Sequence, residues 1–215
     1  MATTMTFTSL QSDIQSYLER GSSSVTDPVV FAQIPRLINL AERRIARELK
    51  IQGFIVASTF TLVTGTGSYT KPDRWRETVS MNVRSGTGPR TPIFARDYEY
   101  LRLVFPDDTA TALPTFYADY DYLHWLFAPV PDSAYTVEVL YYELPAQLDS
   151  SNQTNWLTDY APNLLLYASL LEATPFIKDD ERIAIWQNMY DRAAGMLNGE
   201  DLAKIFDRSA VRKEA

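Results

Sequence analysis

Phe54-Ile55-Val56-Ala57-Ser58-Thr59-Phe60-Thr61-Leu62-Val63 is the stretch whose reading decides the fold. β-Branched and aromatic side chains dominate it, which is the composition of a strand. Gly65-Thr66-Gly67-Ser68 behind it reads as a turn. Thr78 to Arg84 alternates in character, and Gly86-Thr87-Gly88-Pro89 turns the chain again. Arg96 to Val104 has the pattern of one short helix, and Thr115–Phe127 and Tyr135–Tyr142 read as further strands. Prolines between Pro89 and Pro145 fall at segment edges, where a strand tolerates them. Short strands joined by turns imply a small antiparallel sheet or barrel.

Outward from this middle the period changes to that of a helix. On the N-terminal side Phe7, Leu10, Ile14, Tyr17 and Leu18 fall at helical spacing, with Gly21 as a stop and Gly21-Ser22-Ser23-Ser24 as a joint. Asp27-Pro28 reads as an N-cap followed by proline at the first helical position. The stripe Phe31, Ile34, Leu37, Ile38, Ala41, Ile45, Leu49 continues from it, with a break or kink expected at Pro35. Glu42, Arg43, Arg44, Arg47 and Glu48 make the polar face. On the C-terminal side Leu164, Leu165, Leu166, Tyr167, Leu170 and Leu171 predict a helix buried on most sides. Asp179 is placed to cap the next helix, whose stripe is Ile183, Trp186, Tyr190, Ala193 and Leu197, with Asn198-Gly199 as its stop. A last short helix over Glu200–Asp207 and a loose tail to Ala215 complete the reading. The expected fold is α+β. It is mainly a helical bundle built from both chain ends (1–51 and 156–215, the latter with a C-terminal arm) around a small antiparallel β-rich insertion, 52–155.

Composition narrows the function. The chain has 215 residues, no cysteine and one histidine, so thiolate metal sites, disulfides, Cys nucleophiles and two-His ligand sets are excluded. No apolar run approaches the roughly 20 residues of a membrane span, and the first residues lack the basic and apolar regions of a secretory signal. A soluble, reducing compartment is expected. The net charge of −7 argues against binding by phosphate neutralisation. Its distribution is uneven: from Leu103 to Ile177 there is no Lys or Arg but there are ten acids. Such a window is either a solvated face or a surface that repels an anionic polymer or meets a basic partner.

Chemistry-bearing motifs are sparse. Gly65-Thr66-Gly67 and Gly86-Thr87-Gly88 lack the lysine and following helix of a phosphate loop. His124, between Leu123 and Trp125, has no nucleophile elbow to serve. Asp119-x-Asp121 places two carboxylates on one strand face, where they would hold a divalent ion if a third ligand joined them. Asp179-Asp180-Glu181 is explained by the preference of acids for helix N-termini. The dense series of Tyr, Phe and Trp from Tyr98 to Tyr142 has acidic rather than basic neighbours, which favours core and protein contacts over base stacking. No cofactor is implied.

Three stretches, in order, resemble the adaptor (head-to-tail connector) proteins of tailed bacteriophages. The first is Ile34-Pro35-Arg36-Leu37 through Leu49; the second runs from Leu113-Pro114-Thr115-Phe116-Tyr117 to Leu148; the third joins Asn155-Trp156-Leu157 to Asp179-Asp180-Glu181-Arg182. Where many such proteins have glycine at the turn after the aromatic strand, this chain has Asp121-Tyr122, which leaves the hairpin register open. The resemblance implies a structural virion protein and not an enzyme. It implies a homo-oligomeric, dodecameric ring that docks under the portal protein, links it to tail or nozzle proteins, and surrounds a channel that DNA crosses without specific binding. It implies assembly in the host cytoplasm, residence at the head–tail interface of the virion, and no membrane contact. Leu202, Ile205 and Phe206 are then the expected portal contacts. Asp107, Asp108, Asp119 and Asp121, clustered at strand ends and loops, are the expected channel lining. The alternatives are another tail or virion component, or a metal-dependent enzyme using Asp119 and Asp121.

Overall fold

The computed structural model describes residues 4–18, 28–176 and 181–211, and the side chains of all of these except Pro28, Phe176 and residues 200–211. The chain forms two units. One is built from its two ends, up to Phe54 and from Leu144 onward; the other spans Ile55–Glu143.

The second unit is a single curled sheet. Its strands are β1 (Ile55–Thr61), β2 (Ser68–Thr70), β3 (Trp75–Arg84), β4 (Thr91–Ala95), β5 (Phe116–Asp119), β6 (His124–Ala128) and β7 (Thr136–Glu143), in the order β1-β7-β3-β4-β5-β6-β2. All pairs are antiparallel except β4 with β5, which run parallel with Phe94 opposite Phe116. Helix α3 (Tyr98–Val104) makes the crossover that a parallel pair requires. The curl is visible in side chains: Phe60 of β1 stacks on Trp125 of β6 at 5.9 Å, although these strands are far apart in the sheet order. At the two edges, the Tyr69 hydroxyl donates to the Val63 carbonyl at 3.0 Å and accepts from the Val63 N–H at 2.6 Å. Leu62, Met81, Val83, Tyr117, Trp125, Phe127, Val137, Val139 and Tyr141 fill the concave side as one core. A smaller cluster of Leu101, Ala118, Leu126 and Ala128 seats α3 against β5 and β6.

This sheet corrects the expectation of a mainly helical bundle with a small antiparallel insertion. The sheet is seven-stranded, mixed and curled into a half-barrel. The physical reasons are local. β2 (Ser68–Thr70) has only three residues and begins at the last residue of the Gly65–Ser68 turn, and β4 carries Pro92, which hides its period. Thr115–Phe127 divides at the Asp121-Tyr122 turn into β5 and β6, and the register left open by the sequence sets Asp119 opposite Trp125.

The unit formed by the chain ends comprises α1 (Phe7–Leu18), α2 (Pro28–Glu48), a 3₁₀ turn at Gln52–Phe54, α4 (Trp156–Tyr160), α5 (Pro162–Glu172), a second 3₁₀ turn at Thr174–Phe176 and α6 (Ile183–Val211). Helix α5 is its centre. Seven of its residues are buried, α1, α2, α4 and α6 pack around it, and the buried Ser169 hydroxyl is satisfied by the Leu165 carbonyl at 2.8 Å. Pro35 does not end α2; the helix runs through it, because Ile34, Leu37, Ile38, Ala41 and Ile45 are all buried along that face. One lost backbone bond is outweighed by that burial. Asn198-Gly199 does not stop α6 either, which continues as one helix to Val211. A single helical glycine costs only about 1 kcal/mol relative to alanine. The joint at Gly21–Ser24 and the caps at Asp27 and Asp179 lie outside the described residues.

Candidate functional site

Two surfaces carry the features of contact sites. The first lies on the sheet unit, where α3 meets the β5–β6 hairpin tip. Leu101 points into the small core and turns the opposite side of α3 outward, so Leu103 is 80% exposed and Val104 and Tyr100 are exposed beside it. At the tip Tyr120 and Leu123 are exposed and Tyr122 is 76% exposed. The two parts are continuous: the Tyr98 and Tyr120 rings lie 5.7 Å apart, and Arg102 bridges the Tyr98 hydroxyl at 3.3 Å to Asp108 at 2.6 Å. A soluble monomer seldom leaves such large apolar groups adjacent and bare.

The tip is held by charge. Lys71 is buried, its ammonium 2.9 Å from Asp119, donating to the Asp121 carbonyl at 2.8 Å and lying 3.7 Å from the Trp75 ring centroid. The Asp121 carboxylate closes the turn itself, accepting from the Leu123 and His124 N–H groups at 2.6 and 2.7 Å and meeting the His124 Nδ1 at 2.9 Å. The bond from His124 holds the Asp121 carboxyl below the usual carboxylate range. No residue of this turn has a positive φ, so Asp121-Tyr122 forms it without a glycine.

These contacts answer the paired-carboxylate reading. Asp119 and Asp121 do not share a strand face: Asp119 ends β5 and Asp121 lies in the turn, each with its own partners. Among the described residues no three His, Asp or Glu side chains come together as a metal site. The acidic window is also less bare than its sequence suggests. Asp108, Glu138, Glu143 and Glu172 pair with Arg102, Arg84 and Arg90, Arg74, and Arg44, cations drawn from outside the window. Asp107, Asp108, Asp119 and Asp121 remain exposed at the rim of the tyrosine surface. Asp107 is held below the usual range chiefly by the Thr109 N–H.

The second surface is a face of α2. Leu40, Arg43, Arg44 and Arg47 line an open cleft of about 350 Å³ with Glu48 and Glu172. Arg36, Arg43 and Arg47 are exposed, and Leu40 is exposed between them. Arg44 is held in place by Glu48 at 2.9 Å and Glu172 at 3.5 Å, and lies over the Tyr190 ring. Tyr190, bonded to Glu48, is pushed up by burial.

A family model described as SU10 adaptor protein matches residues 5–212. The chain belongs to this family. It is a family of phage head-to-tail adaptors, so the protein is a structural component of the virion. No curated protein matches the chain significantly. An SU10 adaptor acts within the phage head–tail interface. No described helix is long and apolar enough to cross a membrane. Leu202, Ile205 and Phe206 lie on α6, but their side chains are outside the described residues. Sequence reasoning passed over Lys71 and Leu103; it also placed Glu42 on the polar face, whereas Glu42 is buried.

Proposed function

We propose that this adaptor assembles as a ring, dodecameric as in the proteins it resembles, beneath the portal protein. The ring joins the portal to tail or nozzle proteins and surrounds a channel through which DNA passes without specific binding. Assembly takes place in the host cytoplasm and the product stays at the head–tail interface. The exposed tyrosine and leucine surface around Leu103 and Tyr122 carries this reading, because an adaptor without neighbours would leave it in water. The C-terminal part of α6, with Leu202, Ile205 and Phe206, is the segment assigned to the portal. The mass of the native assembly, alone and with portal protein, tests the proposal. A closed multimer in stoichiometric complex with portal is expected; a chain that stays monomeric with and without portal overturns it.

The four aspartates have two places in such a ring, the channel wall or the seam between neighbours. The seam is the better fit. A wall that only repels DNA needs no aromatic surround, whereas these carboxylates rim exposed tyrosines, the residue type enriched at protein contacts.

A further inference from the structure

A ring requires two different, complementary faces on each subunit, and the two surfaces described above have opposite character. On the sheet unit, exposed Asp97, Glu99, Asp107, Asp108, Asp119 and Asp121 lie around the tyrosines, against the cations Arg96, Arg102 and Lys71, of which Arg102 and Lys71 already pair with Asp108 and Asp119. On α2, Arg36, Arg43 and Arg47 are exposed on a helix face with Leu40 at its middle, in a chain whose net charge is −7. Arg36 and Arg43 are exposed cations on either side of Leu40, and the acidic surface of another copy has the charge that complements them.

Building on the ring reading, we infer that the α2 arginine face of one subunit docks on the acidic tyrosine surface of the next copy, and that this is the contact that closes the ring. The chemistry matches group by group. Arginine engages carboxylates through its planar fork and tyrosine faces through its cation. Leu40 and Leu103 supply exposed apolar area on each face. The contact is head to tail, since neither face complements itself: like charges meet if either is paired with its own copy.

The absence of cysteine makes the test clean. Leu40→Cys with Leu103→Cys, and Leu40→Cys with Tyr122→Cys, are introduced on the full-length chain and assembled into particles. All three positions are exposed, so folding is not at stake. After mild oxidation, a denaturing non-reducing gel of the double variants is expected to show a ladder beyond the dimer, because a head-to-tail contact links each copy to two others. Each single variant stays monomeric. Particles that carry the double variants at full occupancy yet give no ladder, or only an intrachain link, overturn the inference while leaving the ring standing. A wild-type chain that never multimerises removes both. A charge exchange supplies the second readout. Arg36→Glu with Arg43→Glu is expected to cut incorporation into particles at least tenfold, and Asp107→Arg with Asp108→Arg in the same chain to restore it. If the aspartate reversal alone leaves occupancy intact and slows genome ejection, the aspartates face the channel and the inference fails.

Discussion

At the residue scale, Glu42 shows how a charged side chain is recruited to hold elements together. It is 3% exposed, yet each carboxylate oxygen has a donor: the Leu148 N–H at 3.3 Å and the Asn155 amide at 2.6 Å. Asn155 in turn caps α4 through the Leu157 and Thr158 N–H groups. Burial outweighs these donors and pushes the Glu42 carboxyl up from 4.5 to about 7. A folded-state value above the unfolded one means that the native state holds its proton longer. The favourable neutral form is therefore fully present below about 4.5 and is lost as pH rises through about 7. Full ionisation costs on the order of 3 kcal/mol by this shift. Glu42→Gln should flatten the fall of melting temperature between pH 5 and 8 relative to wild type; two parallel profiles would show that Glu42 does not titrate there. The acids held low, Asp107, Asp121, Glu138 and Asp149, act below this window. Glu42 was legible in retrospect, since it sits four residues after Ile38 and three before Ile45, on the buried stripe. Gly53 was not. A Cβ there would fall 2.1 Å from the Trp156 indole, which is fixed between Phe54 and Tyr160 at 5.3 and 5.5 Å. Gly53→Ala should cost roughly 1–3 kcal/mol in denaturant unfolding; a neutral result would mean that the indole has room to move.

At the element scale, long periodic segments were readable and short ones were not. The stripe of α2 and the all-apolar α5 appear where their spacing places them. Strands β2 and β4 escaped because a strand of three residues has no period to detect and a proline interrupts one of five. The turn between β5 and β6 was placed at Asp121-Tyr122 only through the family resemblance, with its register open, because it contains neither glycine nor proline and is made by Asp121 and the buried Lys71. Lys71→Met keeps the aliphatic stem but removes the bonds to Asp119 and to the Asp121 carbonyl. It is expected to cost about 1–3 kcal/mol and to speed amide exchange at Tyr120–Leu123 while the core around Trp125 keeps its protection. Unchanged exchange at the tip would mean that Asp121 alone suffices to hold it. In α6, Trp186 is 3% exposed under the Arg182 guanidinium, and Trp186→Ala should lower stability by roughly 3–5 kcal/mol. A melting temperature unchanged by this substitution would mean that α6 contributes little to its unit.

At the scale of the whole molecule, the surplus surface is the argument for assembly. Each unit has a filled core of its own, so the exposed leucines, tyrosines and arginines are not required for folding. The candidate contact residues were visible in the sequence only as composition, an aromatic series in an acidic window. Their meaning depended on which cations fold back onto the acids, and that is set by strand pairing across long separations in sequence. The same separation of folding from assembly bears on the C-terminus. Among the described side chains of helix α6 the buried ones, Trp186 and Tyr190, lie in its first third, and the helix runs on to Val211. Truncation after Asn198 removes the proposed portal segment but leaves both anchors. The truncated chain, which keeps both described anchors, should therefore unfold within about 1 kcal/mol of wild type. It should still form the cross-linked seam between copies, and it should fail to bind portal protein. Loss of folding would place the distal half of α6 in its own unit, and portal binding at wild-type strength would move that contact elsewhere on the adaptor.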